Sequence, residues 1–164
     1  MKKIFITGGA GFLGKNLVER YYRDNEITIF SRDEAKHYFL KKKYPNIKCI
    51  IGDITDRKSL ISAGKNNDIG IFAASMKQIS AVDENFAIAS KIIIDGAINS
   101  RICAEENGFE SACFISSDKS RAATTLYGAM KFVAGESFIV NADNSTTTRL
   151  STAIYGNVIN STGR

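Results

Sequence analysis

Hydrophobic positions along the chain fall into two alternating kinds of segment. Short β-branched and aromatic runs carry little polar alternation: Ile4-Phe5-Ile6, Ile27-Thr28-Ile29-Phe30, Ile47 to Ile51, Ile69 to Ala73, Ala112 to Ser116 and Thr146 to Leu150. Such runs predict strands covered on both faces, as in a parallel sheet. Longer stretches with helical spacing lie between them: about Phe12 to Arg23, Asp33 to Tyr44 with Pro45 as its stop, Asp56 to Lys65, Asp83 to Glu106 ending at Asn107-Gly108, and Thr124 to Asn141. Strand and helix alternate throughout, and right-handed crossovers turn that order into an α/β fold. The expected architecture is a doubly wound parallel sheet between two helical layers. No repeat, low-complexity segment or boundary interrupts the pattern, so residues 1–164 read as one domain.

Composition removes several alternatives. With 164 residues, 44% of them hydrophobic, the chain can bury a core without disulfide staples, and disorder is not expected. The net charge of +5 is scattered. Its densest run, Lys41-Lys42-Lys43, lacks interleaved aromatics or a nucleic-acid module and reads as a solvated helix end, so no nucleic-acid partner is expected. Cys49, Cys103 and Cys113 lie far apart without paired spacing. They read as buried or half-buried thiols in a reducing compartment, with no metal site. Lys2 and Lys3 lead straight into a strand, no apolar leader follows Met1, and no apolar run approaches a membrane span. The expected location is cytoplasmic.

The first strand runs into Thr7-Gly8-Gly9-Ala10-Gly11-Phe12-Leu13-Gly14 with a helix behind it. Gly9, Gly11 and Gly14 fit G-x-G-x-x-G. Glycines there permit a tight turn and a close approach of backbone amides to a pyrophosphate, and the helix amino end adds a favourable dipole. Its position between first strand and first helix makes this a dinucleotide loop. The second strand ends in Ser31-Arg32-Asp33. A guanidinium suits a 2′-phosphate, which predicts NADP over NAD; Asp33 is either a helix cap or a ribose ligand. After the third strand, Asp53 can accept from the adenine amino group while Ile54 packs on the ring, or Asp53 is a turn residue. Ala73-Ala74-Ser75 ends the fourth strand with small side chains that leave room for the cofactor.

Ser116-Ser117-Asp118-Lys119 ends the fifth strand, and Tyr127-Gly128-Ala129-Met130-Lys131 opens the next helix. Tyr127 and Lys131, at i and i+4, share a helix face. An ammonium beside a phenol favours the phenolate, so Tyr127 is expected to serve as acid or base near neutral pH, with Lys131 also binding the nicotinamide ribose. His37, on a charged helix, reads as a surface residue. Tyr21-Tyr22 and Tyr38-Phe39 read as helix-packing aromatics.

With these motifs in place, the sequence resembles the extended short-chain dehydrogenase/reductase family, and more narrowly the inverting UDP-N-acetylglucosamine 4,6-dehydratases of surface-polysaccharide and flagellin-sugar biosynthesis. The resemblance rests on Thr7 to Gly14, Phe30 to Glu34, Gly52 to Asp56, Ala73 to Gln78, Ser117-Asp118-Lys119, Leu126 to Lys131 and Tyr155-Gly156-Asn157-Val158. It implies a Rossmann fold and a lyase whose net redox change is zero. Tyr127 would deprotonate the sugar 4-hydroxyl while NADP takes hydride from C4. Lys119 would remove the acidified C5 proton, protonated Asp118 would donate to the departing 6-hydroxyl, and Ser117 would polarise the 4-oxygen. Hydride returns to C6, and reprotonation on the opposite face inverts C5. Lys77 and Asn157 match substrate-facing positions.

Three departures accompany the resemblance. Ile93 replaces the usual asparagine, Ser120 to Ala123 stands where a proline follows the Asp-Lys pair, and extra residues precede Gly156-Asn157. The family's C-terminal substrate lobe is absent from these residues, so the sequence reads as a truncated form, a natural fragment, or a short form whose UDP-sugar pocket a homo-oligomer or a partner chain completes. Two other readings stand beside the dehydratase: a dinucleotide-binding module without turnover, which Ile93 favours, and a sugar-nucleotide epimerase, which the Asp118-Lys119 pair disfavours.

Overall fold

The computed structural model describes residues 1–140, 142 and 147–158. The strands are β1 (Lys3–Thr7), β2 (Glu26–Ser31), β3 (Lys48–Ile51), β4 (Ile69–Phe72), β5 (Ser111–Ser117) and β6 (Arg149–Tyr155). The helices are α1 (Phe12–Tyr21), α2 (Glu34–Lys43), α3 (Arg57–Gly64), α4 (Ile79–Glu84), α5 (Phe86–Ser90), α6 (Gly96–Glu106) and α7 (Leu126–Ile139). All strand pairs are parallel, in the order β3-β2-β1-β4-β5-β6. The order reverses between β1 and β4, the place where open α/β sheets hold ligands. This is the doubly wound, Rossmann-like sheet that the strand pattern predicts.

Alternation along β1 splits the core in two. Ile4 and Ile6 face α1 and α2 and pack with Val18, Ile29, Leu40 and Ile47. Phe5 faces the other layer and joins Phe30, Phe72, Phe109 and residues of α3, α6 and α7. Ring centroids there lie 6.0 Å apart for Phe5–Phe30 and 6.2 Å for Phe5–Phe72, within the range where tilted and edge-on aromatic pairs attract.

The α1–α2 layer covers only the β1–β2–β3 half of its face. Beyond β1 the same face carries half-buried Ile69, Ile71, Cys113 and Ile115, which with Leu13 and Leu17 of α1 line an open apolar groove. Among the described residues no helix is long and apolar enough to cross a membrane, and no group of three or more potential metal ligands forms.

Three element boundaries differ from the sequence pattern. The sixth strand is Arg149–Tyr155 rather than Thr146–Leu150, and Thr146 lies outside the described residues. β6 pairs with β5 residue for residue from Ser111↔Arg149 to Ser117↔Tyr155, so it follows the full length of its partner. Thr148 precedes the strand, buried, and its hydroxyl donates to the Ala104 carbonyl at 3.4 Å. The stretch expected as one helix over 83–106 is broken at Asn85, whose side-chain amide donates to the Ala81 carbonyl, and a π-helical turn at Lys91–Asp95 joins α5 to α6. The last helix starts at Leu126, where the Thr125 hydroxyl accepts from the Gly128 amide, and ends at Ile139; Asn141 lies outside the described residues. Tyr22 and Tyr44 pack at 4.9 Å, but Tyr38 and Phe39 are 65% and 69% exposed, with their rings 5.5 Å apart. Their helix buries its opposite face through His37 and Leu40.

Candidate functional site

The glycine loop is held where β1, β2 and β4 end. Gly8 has φ +68, a left-handed conformation, and its amide donates to the Phe30 carbonyl at 2.8 Å. A Cβ on Gly8 would sit 2.9 Å from the Ala74 amide nitrogen, and one on Gly14 would run into the Gly8 carbonyl. Only glycine therefore lets the loop lie against β4 and lets α1 start beneath it. Buried Thr7 ties the two together, its hydroxyl accepting from the Ala74 amide at 3.3 Å. Gly11 caps α1 without a side-chain bond, so the first-turn amides remain available to a phosphate. Gly9 packs on Ile29, Phe12 is partly exposed, and Leu13 turns into the apolar groove.

A polar cleft beside the loop is lined by Ala10, Gly11, Ser31, Arg32, Asp33 and Lys36. Asp33 caps α2: one carboxylate oxygen accepts from the Lys36 amide at 3.0 Å, and the other pairs with the Lys36 ammonium at 2.6 Å. Those bonds hold its carboxyl below the usual range. Of the two roles open to Asp33, the cap is the one its geometry serves. Arg32 lies 3.7 Å from Asp53, an exposed pair that a stronger anion could compete for. Asp53 also accepts from the Thr55 amide and hydroxyl, both at 2.9 Å. Ile54 is only 6% exposed and packs toward Gly96, so it presents little surface to a ring.

His37 is not on the surface. It is 4% exposed, with Nε2 at 2.6 Å from the Ser31 hydroxyl. Burial lowers its pKa, with the Asp33 charge opposing. Buried Asn99 on α6 donates to the Ile54 carbonyl and accepts from Arg57, each at 2.9 Å, and so pins the loop after β3. Lys36, His37 and Asn99 are therefore parts of the site that the sequence reading did not single out. Lys36 carried a signal, one helical turn after Asp33; Asn99 carried none that precedes the fold.

A second cluster gathers residues from the ends of β4, β5 and β6 and from α7. Ser117 donates to Asp118 at 3.0 Å; the Lys119 ammonium lies 3.4 Å from Asp118 and donates to the Asn157 carboxamide oxygen at 3.2 Å. The Ser117 bond first, and the Lys119 charge after it, lower the Asp118 carboxyl, so it is ionised at neutral pH in the open site. Tyr127 is 6% exposed. Burial first, then neighbouring Tyr155, push its phenol up to about 12, against the pull of the Ser117 hydroxyl. Lys131 is 4% exposed and donates to Ser75 at 2.9 Å, with its ammonium 5.9 Å from the Tyr127 ring centroid. Desolvation pushes it down to about 8. The expected phenolate at neutral pH is thus not what this geometry yields: Lys131 bonds to Ser75 and both groups are dehydrated. Tyr155, which the sequence reading gave no role, stands next to Tyr127. Ala73, Ala74 and Ser75 are half-buried along the cleft; Lys77 is exposed beyond them.

This constellation can be set against known proteins. The family described as "Polysaccharide biosynthesis protein" matches residues 4–164. The chain belongs to that family. Among curated relatives, "UDP-N-acetylglucosamine 4,6-dehydratase (inverting)" of Campylobacter jejuni is 34% identical over 169 aligned positions, gaps included, which cover 99% of this chain and 51% of that protein. "UDP-glucose 4-epimerase" of Rickettsia massiliae is 30% identical, over 99% of this chain and 50% of that protein. Among solved structures, "Pen" from Bacillus thuringiensis superposes with a TM-score of 0.93 at 30% identity, covering 99% of this chain and 52% of that one. The chain spans about half the length of the relatives it matches. The glycine loop, the polar cleft and the Ser117–Lys131 cluster all lie within the matched residues.

The buried ammonium makes a pH-dependent prediction. Lys131 has a folded pKa near 8 against an ordinary 10.5, so its charge opposes folding fully below pH 8. That penalty shrinks as pH rises from 8 and is gone above 10.5. Lys131→Met should therefore raise stability at pH 7 by roughly 3 kcal/mol, with the gain fading toward pH 10.5. Urea unfolding at a series of pH values measures it; a pH-independent gain would contradict the buried charge.

Proposed function

We propose that the chain is the cofactor-binding and catalytic half of an NADP-dependent sugar-nucleotide 4,6-dehydratase, a lyase that inverts C5 of a UDP-N-acetylglucosamine-type substrate in surface-polysaccharide synthesis. One observation carries the reading. Lys119 reaches Asp118 beside it after β5 and Asn157 after β6, and Ser117 bonds toward Tyr127, so an amine, a carboxyl, a hydroxyl and a phenol come together at the ends of β5 and β6.

The glycine loop fits a dinucleotide, because glycine at 8 and 14 lets the backbone pack against β4 and against the start of α1, whose uncapped first-turn amides can meet a diphosphate. Thr7, Gly8, Gly9, Gly11, Phe12, Leu13 and Gly14 form that end, Ser31, Arg32, Asp53 and Ile54 the adenosine end, and Ala73, Ala74, Ser75, Tyr127 and Lys131 the nicotinamide end. Arg32 and Lys36 favour NADP, since they bring two cations to the place of a ribose 2′-phosphate. When bound, the coenzyme accepts hydride from C4 and returns it at C6.

The side chains then divide the proton transfers. Tyr127 accepts the proton of the sugar 4-hydroxyl once positive charge brought beside it by the bound coenzyme lowers its phenol. Ser117 donates to the 4-oxygen. Lys119 in its neutral form removes the C5 proton, and Asn157 orients its amine. Asp118 gains a proton when substrate covers it and desolvates its carboxyl, and gives that proton to the departing 6-hydroxyl. Lys77 and Asn157 face the substrate.

A second reading, a dinucleotide-binding module without turnover, is favoured by Ile93. That residue is 1% exposed and entirely within the core where the family carries a carboxamide. An epimerase would use Tyr127 and Lys131 but not the C5 chemistry of Lys119. Residues 1–164 act as the cofactor domain, and the uncovered apolar half-face of the sheet supports association with a second copy or a chain that completes the sugar pocket.

Three measurements test these statements. Incubation with NADP and UDP-N-acetylglucosamine should yield a 4-keto-6-deoxy product with solvent deuterium at C5, and Lys119→Ala should abolish the C5 exchange. Cofactor binding without product supports the module, and a 4-epimer alone supports the epimerase. Titration calorimetry should give a lower Kd for NADP than for NAD; the reverse order refutes the cofactor assignment. Sedimentation velocity should show concentration-dependent association, and a strict monomer at all concentrations contradicts the docking role of the open face.

A further inference from the structure

His37 is a buried titratable group that none of the chemistry above uses. It sits on the first turns of α2, directly beneath the end of β2. Its Nε2 lies 2.6 Å from the Ser31 hydroxyl, and its Nδ1 is buried with no hydrogen-bond partner. We propose that His37 is a positioning residue for cofactor specificity, whose Nε2–H holds the Ser31 hydroxyl as a donor toward a phosphate monoester at the ribose 2′ position. The inference deepens the NADP reading and rests on it.

The argument turns on where the one imidazole proton sits. Neutral histidine carries it on one nitrogen and leaves the other an acceptor. A proton on Nδ1 would be a buried donor with nothing to donate to, the rarest kind of orphan in folded proteins. Nε2 would then accept the Ser31 proton, and Ser31 would turn only lone pairs toward the cleft. A proton on Nε2 avoids both faults. Nε2–H donates to Ser31, Nδ1 is left as an unpaired acceptor, and the Ser31 proton is free for another oxygen.

That free proton is available to the cleft. Ser31 lines the cleft together with Arg32 and Lys36, so the hydroxyl completes a set of donors with two cations. A dianionic 2′-phosphate uses all three, whereas a neutral 2′-hydroxyl does not need them. Burial keeps the imidazole neutral at physiological pH against the opposing charge of Asp33, the acidic group that faces it, and so preserves this arrangement.

The experiment measures the ratio of NADP to NAD affinity by titration calorimetry for wild type, His37→Phe, His37→Gln and Ser31→Ala, and for the double variant His37→Phe with Ser31→Ala. Phe keeps the ring volume and removes the donor; Gln restores a donor. We expect His37→Phe to lower the ratio by about tenfold, His37→Gln to recover most of it, and the double variant to show no loss beyond that of Ser31→Ala. Equal losses for both cofactors, an unchanged ratio, or additive losses in the double variant would overturn the proposal. Nitrogen-15 NMR of the histidine ring gives a readout without ligand: the shifts should report a neutral Nε2–H tautomer, and an Nδ1–H tautomer would refute it. The wild-type ratio alone judges the NADP reading, while the change in that ratio judges His37, so the two can fail separately.

Discussion

No side chain fits between the glycine loop and the end of β4. The Gly8 position faces the Ala74 backbone at the distance of a forced contact, and Thr7 bridges the remaining gap through its hydroxyl. Everything functional in the molecule is placed relative to that contact. It fixes where α1 begins, and hence where the first-turn amides point. It also holds the segment after β4 in place, from which Ser75 meets Lys131 on α7. The two ends of the cleft are therefore parts of one rigid frame, with the sheet switch point between them.

The electrostatics of the two ends differ in kind. At the β2 end the charges are exposed and already paired, Arg32 with Asp53 and Lys36 with Asp33. Such pairs are weak, so an incoming phosphate can take their cations at little cost. At the β5 end Tyr127 and Lys131 are dehydrated, and each is pushed toward its neutral form. A buried pair of this kind responds strongly to any new charge, because no water screens it. The first end is suited to holding an anion and the second to moving protons.

Much of this was legible in the residues. The β-branched runs marked five of the strands, the punctuation Gly8 to Gly14 marked the glycine turn between β1 and α1, and the Tyr127–Lys131 spacing marked two buried neighbours on α7. What escaped did so for identifiable reasons. β6, Arg149-Leu150-Ser151-Thr152-Ala153-Ile154-Tyr155, is an edge strand with one uncovered face, so it carries the polar residues that a doubly covered strand lacks. His37 sits among Lys36, Tyr38, Lys41 and Lys42, and nothing local says that its own side of the helix is the buried one. The raised phenol of Tyr127 follows from the packing of α7 against β5 and β6, which no i, i+4 argument contains.

The π-helical turn at Lys91–Asp95 has the geometry of a single extra residue accommodated within a helix. Each residue advances a helix by about 100°, so the insertion sets the phase of everything after it. Ile93 lies inside the turn, and Asn99 lies just beyond it on α6. Deleting one position there would regularise the coil and rotate Asn99 away from the Ile54 carbonyl that it now grips. The helix thus works as a phase adjuster, and a one-residue gap in this segment would be felt far off, as slack in the loop after β3.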